Sequence, residues 1–126
     1  MISYKEFIAE KASYDPVVEK QQAEKSKLQS QQVGAWKVVV TNHAGSQAFL
    51  RTDRMLPMHW SKILSSMIKY TDANIDRHFS YLFYSKSYKQ GIVTEVIPKR
   101  KQVNIITVLP PRAQEVMGST PTESVI

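Results

Sequence analysis

The sequence predicts an α+β fold, with an N-terminal helical arm and then a twisted antiparallel β-sheet of about four strands packed against an amphipathic helix. Two observations carry the core of it. Trp60, Ile63, Leu64, Met67 and Ile68 recur at i, i+3, i+4, i+7 and i+8, one apolar stripe along a helix from about 59 to 70. FSYLFY (79–84), GIVTEVI (91–97) and VNIITVL (103–109) are three strand-like runs joined only by the basic stretches SKSYKQ and PKRKQ. Strands in sequence with such short links pair antiparallel.

The remaining elements follow in order. Tyr4, Phe7, Ile8 and Ala12 give residues 2–12 helical spacing, and Asp15 with Pro16 restarts a helix as N-cap and first helical residue. EKQQAEKSKLQSQQ then offers Leu28 as almost its only large apolar residue, so a helix there buries little and reads as a solvated arm, a linker or a surface that orders against a partner. The character changes at Val33-Gly34. AWKVVVT (35–41) reads as a strand, NHAGS as a turn after it, and AFLRTDRMLPM as a short strand leading into Pro57. Past Leu109, two prolines and a polar stretch read as an irregular tail. Three segments result: a polar helical arm at 1–32, a compact basic domain at 33–112 and a tail at 113–126.

Composition narrows the function. The 126 residues contain no cysteine, which excludes a disulfide framework, a thiolate nucleophile and cysteine-ligated zinc. Charged residues in MISYKEFIAEK argue against a secretory signal, and no apolar run approaches the ~20 residues that cross a bilayer. The expectation is a soluble protein with no membrane partner, located in the cytoplasm, or in a virion if a phage encodes it. The net charge of +6 is segregated: residues 1–35 carry five lysines and five acids, and the later residues twelve Lys/Arg against six acids. That imbalance suits a phosphate-bearing partner. There is no Gly-rich phosphate loop, no H-E-x-x-H and no metal-ligand spacing among the three histidines, so neither cofactor nor metal is expected. Acids are too sparse after residue 35 for a two-metal nuclease or a glycosidase.

LPMHWSKILSSMI, then GIVTEVI, then NIITVLPP resembles the C-terminal half of bacterial EndoU-type ribonuclease toxins. These belong to the barnase–EndoU–colicin–RelE group of metal-independent ribonucleases, which phages also encode. The likeness spans roughly residues 40–112. It rests on a Pro–x–x–Trp–Ser helix start and a last strand ending in Thr–x–x–Pro, here Thr107 to Pro110. The family also has an upstream histidine in a glycine-containing loop; His43 beside Gly45 stands there, without the fuller glycine–histidine motif.

The resemblance implies a small toxin-type endoribonuclease that attacks phosphorus with the ribose 2′-hydroxyl and expels the 5′-oxygen. One group takes the 2′ proton, another protonates the leaving oxygen, and a cation stabilises the transition state. Histidine suits both proton roles, with an unperturbed pKa of ~6.5. The candidates are His43 and His59 for proton transfer and Thr107 for holding the phosphate. Against each stands a plain structural role: His43 an exposed turn residue, His59 a cap for the free N–H groups of its helix, Thr107 a strand former. His78 reads as a helix-end charge. Lys86, Lys89, Lys99, Arg100, Lys101 and Arg77 are candidate phosphate contacts, and Tyr84 a base-stacking residue for single-stranded RNA. The arm at 1–32 is expected to hold an inhibitor or partner protein. The competing reading is a non-catalytic virion or host-modulating protein that binds nucleic acid or an acidic protein surface. What separates the two is convergence of a histidine, Thr107 and a cation in one cleft.

Overall fold

Residues 15–52, 54–110 and 123–125 are described by the computed structural model. The expected helix at 2–12 and the tail from 113 to 122 lie outside them. Helix α1 (Pro16–Lys25) starts as its sequence dictates: the Asp15 carboxylate accepts the Val17 N–H at 2.9 Å. It ends where the Gln29 amide turns back to donate to the carbonyls of Ala23 and Ser26. That return delivers Leu28 into the core, where it is fully buried.

Strands β1 (Gln31–Val33) and β2 (Trp36–Val40) form a tight hairpin around Gly34, whose φ of +58° is left-handed backbone that glycine adopts without a Cβ clash. The boundary expected between residues 32 and 33 therefore falls inside β1, and the described part of the arm is built into the fold. Helix α2 (Asn42–Arg51) follows at once, capped by the Thr41 hydroxyl, which accepts the Ala44 N–H at 3.1 Å. This corrects the turn expected at NHAGS and the strand expected after it. Gly45 sits in the first turn because α1 passes there; a Cβ on it would lie 2.9 Å from that of Ala23. The glycine that looks like a turn signal is a helix–helix contact.

Helix α3 (Pro57–Asn74) buries the expected stripe of Trp60, Ile63, Leu64, Met67 and Ile68, and adds Thr71. Strands β3 (Phe79–Ser85), β4 (Gln90–Ile97) and β5 (Gln102–Val108) form the expected antiparallel meander, with a single 3₁₀ turn (Pro98–Arg100) before β5. Strand β6 (Glu123–Val125), within the tail expected to be irregular over 113–126, corrects that expectation and completes a six-stranded sheet in the order β1-β2-β5-β4-β3-β6. The class is α+β as expected, but the sheet is mixed: β2 runs parallel to β5, and β6 parallel to β3. The chain reaches β5 from β2 only after α2, α3 and the first two meander strands, a non-local pairing that no short link announces.

One apolar cluster holds the layers together. Trp60, Met67 and Leu64 from α3 meet Phe83, Ile92, Val96, Val103 and Ile105 from the sheet and Trp36 and Val38 from β2. Burial of each large side chain contributes about 1.5–3 kcal/mol. β2 pairs with β5 only as far as Val40 against Ile105. Beyond that point α2 takes over as neighbour: the Gln47 side-chain oxygen accepts the Val108 N–H at 3.1 Å, and Arg51 donates to the Val108 carbonyl at 3.1 Å.

Candidate nucleic-acid interface

Because β4 is antiparallel to both neighbours, its two basic links lie at opposite ends of the sheet. At one end α3 starts, β3 turns into β4 through residues 86–89, and β5 finishes. At the other α3 finishes, β4 turns into β5 through residues 98–101, and β2 and β3 begin. The sequence-predicted cations divide accordingly. Lys86 and Lys89 belong to the α3-start end, while Arg77, Lys99, Arg100 and Lys101 belong to the α3-finish end.

The α3-start end gathers further cations. Arg51 and Arg54 flank the α2–α3 connection, and Lys62 lies in the second turn of α3; all five cations of this end are exposed. Arg54 donates to the Tyr88 carbonyl at 3.2 Å, as Arg51 does to Val108. These bonds orient the guanidinium groups without neutralising them, and each keeps further N–H donors for a ligand. Among the described residues, Arg51, Arg54, Lys62 and Lys86 pair with no carboxylate. Lys89 stands beside them in left-handed backbone, φ +52°. Sequence reasoning named Lys86 and Lys89 here but missed Arg51, Arg54 and Lys62; their signal is the recurrence of cations through RTDRMLPMHWSK.

His59 also belongs to this end. Its Nδ1 accepts the Leu56 N–H at 3.0 Å, and its ring lies 5.0 Å from that of Tyr88 at a tilted angle. With Nδ1 accepting, the ring proton sits on Nε2, so the lone pair a general base requires is already engaged in capping the helix.

A groove of about 510 Å³ runs between α3 and the β3–β4 link, lined by Ser61, Lys62, Ile63, Ser65 and Ser66 on one wall and Ser85, Ser87 and Tyr88 on the other.

Neither a family model, nor a curated protein, nor a solved structure matches this chain. The geometry of the site therefore carries the functional argument alone.

The other predicted residues lie apart. His43 is in the first turn of α2, facing α1, with Nδ1 3.5 Å from Glu19. Thr107 donates its hydroxyl to the side-chain oxygen of Gln47, the same atom that holds the Val108 N–H. His78 is not at a helix end, since α3 stops at Asn74; it meets Glu95 across β3 and β4 at 2.9 Å. Glu95 also accepts from Asn104 at 3.1 Å, and these two bonds, His78 first, hold its carboxyl below the usual glutamate value. Tyr84 is half-buried within β3, paired in register with Gly91 and Val125. Arg77, Lys99 and Arg100 are exposed. Lys101 is drawn into structure: its Nζ lies 3.4 Å from Asp72 and 5.1 Å above the Trp36 ring. The Trp36 N–H donates to Asp72 at 2.9 Å, and this bond, with Lys101, lowers the Asp72 carboxyl.

Each histidine thus has its own partner, and no hydrogen bond among the described residues joins one to Thr107; His43 lies one turn from Gln47, the residue that holds Thr107. Among the described residues no group of three His, Cys, Asp or Glu could hold a metal, and no helix is long and apolar enough to cross a membrane.

Proposed function

We propose that this protein binds single-stranded RNA through the α3-start end of its sheet, without a metal. The observation that carries the reading is the gathering of Arg51, Arg54, Lys62, Lys86 and Lys89 around a hydroxyl-lined groove with an aromatic wall. Cations placed this way attract the phosphate backbone and release its counterions. Tyr88 lines the groove, where its ring offers a surface for an unstacked base. The arginines come pre-oriented by their carbonyl bonds, which reduces the ordering cost of binding. The histidines argue for binding over cleavage, since His59 is committed to a helix cap and none of the three is hydrogen-bonded to Thr107.

The test is fluorescence anisotropy with a short 3′-labelled oligoribonucleotide over a range of salt concentrations. If all five cations engage phosphates, log K should fall against log salt with a slope of about −3.5. Binding that ignores salt, or no binding by folded protein, would remove this reading and leave an acidic protein surface as the partner class.

Metal-independent cleavage of the bound RNA is the second reading. What favours it is that the β5 strand carrying Thr107 finishes at the same end as His59 and the five cations. It requires wild-type protein to cut total RNA in excess EDTA and His43→Ala or His59→Ala to abolish cutting. Intact RNA throughout leaves binding alone.

A further inference from the structure

The groove itself has features that general RNA binding does not explain. Ser61 and Ser65 are one turn apart on α3, as are Lys62 and Ser66, so the four make two adjacent rows on one flank of the helix. Serine is a mediocre helix former, and three within six residues on an exposed flank contribute nothing to the core. Three other serines are used, and Ser80 on β3, among the described residues, is not: Ser26 accepts the Leu28 N–H, Ser30 the Val40 N–H, and Ser46 donates to Gln22. Among the described residues, Ser61, Ser65, Ser66 and Ser87 make no such bond, and all four line the groove. Ser85 opposite accepts the Tyr88 N–H at 3.3 Å and retains its own hydroxyl proton to donate.

Hydroxyl donors on two walls, a lysine in one of them and no lining carboxylate describe a receptor for a compact group of many acceptor oxygens. An internal phosphodiester presents two free oxygens and one charge. A phosphomonoester presents three oxygens and a charge of about −1.5 to −2. The volume of about 510 Å³ lies in the range of small-molecule sites rather than of single water molecules. Tyr88 completes the wall, with the His59 ring leaning on it, where the adjoining base would lie.

We infer that this groove receives the phosphomonoester end of an RNA strand, with the hydroxyls of Ser61, Ser65, Ser66 and Ser87 and the ammonium of Lys62 as its ligands. The inference rests on the RNA-binding reading and narrows it from any single strand to one with a terminal phosphate.

The experiment compares one oligoribonucleotide sequence in three forms, 5′-phosphorylated, 3′-phosphorylated and with both ends hydroxyl, with a nucleoside monophosphate as competitor. A phosphorylated end should improve affinity about tenfold, the worth of one charge-assisted hydrogen bond. Ser65→Ala with Ser66→Ala should abolish that advantage, so that the variant binds all three forms alike. Both positions are exposed and alanine is the better helix former, so folding is not at stake. Equal binding of all three forms would overturn the groove assignment while RNA binding stands. No binding of any form would overturn both. A mononucleotide that binds as tightly as the phosphorylated strand would make a free nucleotide the ligand and overturn the assignment to an RNA end.

Discussion

The two ends of the sheet read alike in sequence and differ in structure. Each has a basic link between meander strands and each has a tryptophan beneath it. At the α3-finish end Lys101 is answered by Asp72, His78 by Glu95, and the Trp36 N–H by Asp72 as well, while Arg77, Lys99 and Arg100 pair with no carboxylate among the described residues. At the α3-start end Arg51 and Arg54 are held by carbonyls, which orient a cation without cancelling it, and the buried Trp60 N–H finds no partner among the described residues. What sets the α3-start end apart is its groove and its two carbonyl-held arginines, so the density of positive residues along the chain is a poor guide to where a ligand binds.

Trp60→Ala should have the largest effect, a loss of about 3–5 kcal/mol measured by urea unfolding, because it empties the core under the first turn of α3. Gly45→Val touches neither end and should still cost about 1–3 kcal/mol by pushing α1 off α2. The same variant, where folded, should bind RNA as wild type does, which separates scaffold from surface. Reversing charge at Arg54 and Lys86 should weaken RNA binding about tenfold and flatten the salt slope by about one to one and a half. Reversal at Lys99 and Arg100 should change affinity by less than about threefold; equal losses at the two ends would erase the distinction.

Acid should separate the ends most gently. Glu95 and Asp72 are both held below their ordinary values of 4.5 and 3.8, Glu95 chiefly by the bond from His78 and Asp72 chiefly by that from Trp36. A lowered carboxyl lends stability above its unfolded value, and that stability is lost as the pH falls through the folded value. The Trp36 indole N–H resonance should therefore shift on acidification below about pH 4 while that of Trp60 stays constant. His78→Ala should raise the Glu95 midpoint toward its ordinary value, followed by its side-chain carboxyl resonance.

Local order was legible in the sequence and long-range order was not. The apolar stripe from Trp60 to Ile68 and the three meander strands carry their period in their own residues, and the structure bounds each within a residue at the strand ends. α2 escaped because Gly45 imitates a turn, although Thr41 as a cap and Ala44 and Ala48 one turn apart were available as signals. Leu28 looked solitary in a polar arm because its neighbours in the core lie far along the chain. The site fared similarly. Lys86 and Lys89 were visible as a charged link, but the groove unites α3 with a hairpin some twenty residues later, and nothing local marks its serines as a set. Thr107 lies in the Thr–x–x–Pro stretch on which the resemblance rests, yet its hydroxyl is taken by Gln47, a residue sixty positions upstream.

That last contact has a consequence for the life of the protein in a crowded solution. A strand whose outer N–H and C=O groups are open is a template on which another chain can add itself, the first step toward aggregates. β5 would present such groups past Val40, where β2 runs out, and it carries the apolar run Ile105-Ile106 there. Gln47 and Arg51, one turn apart on α2, offer Val108 an acceptor and a donor in the pattern a neighbouring strand would use. The helix thus counterfeits a strand edge and denies that position to any other chain.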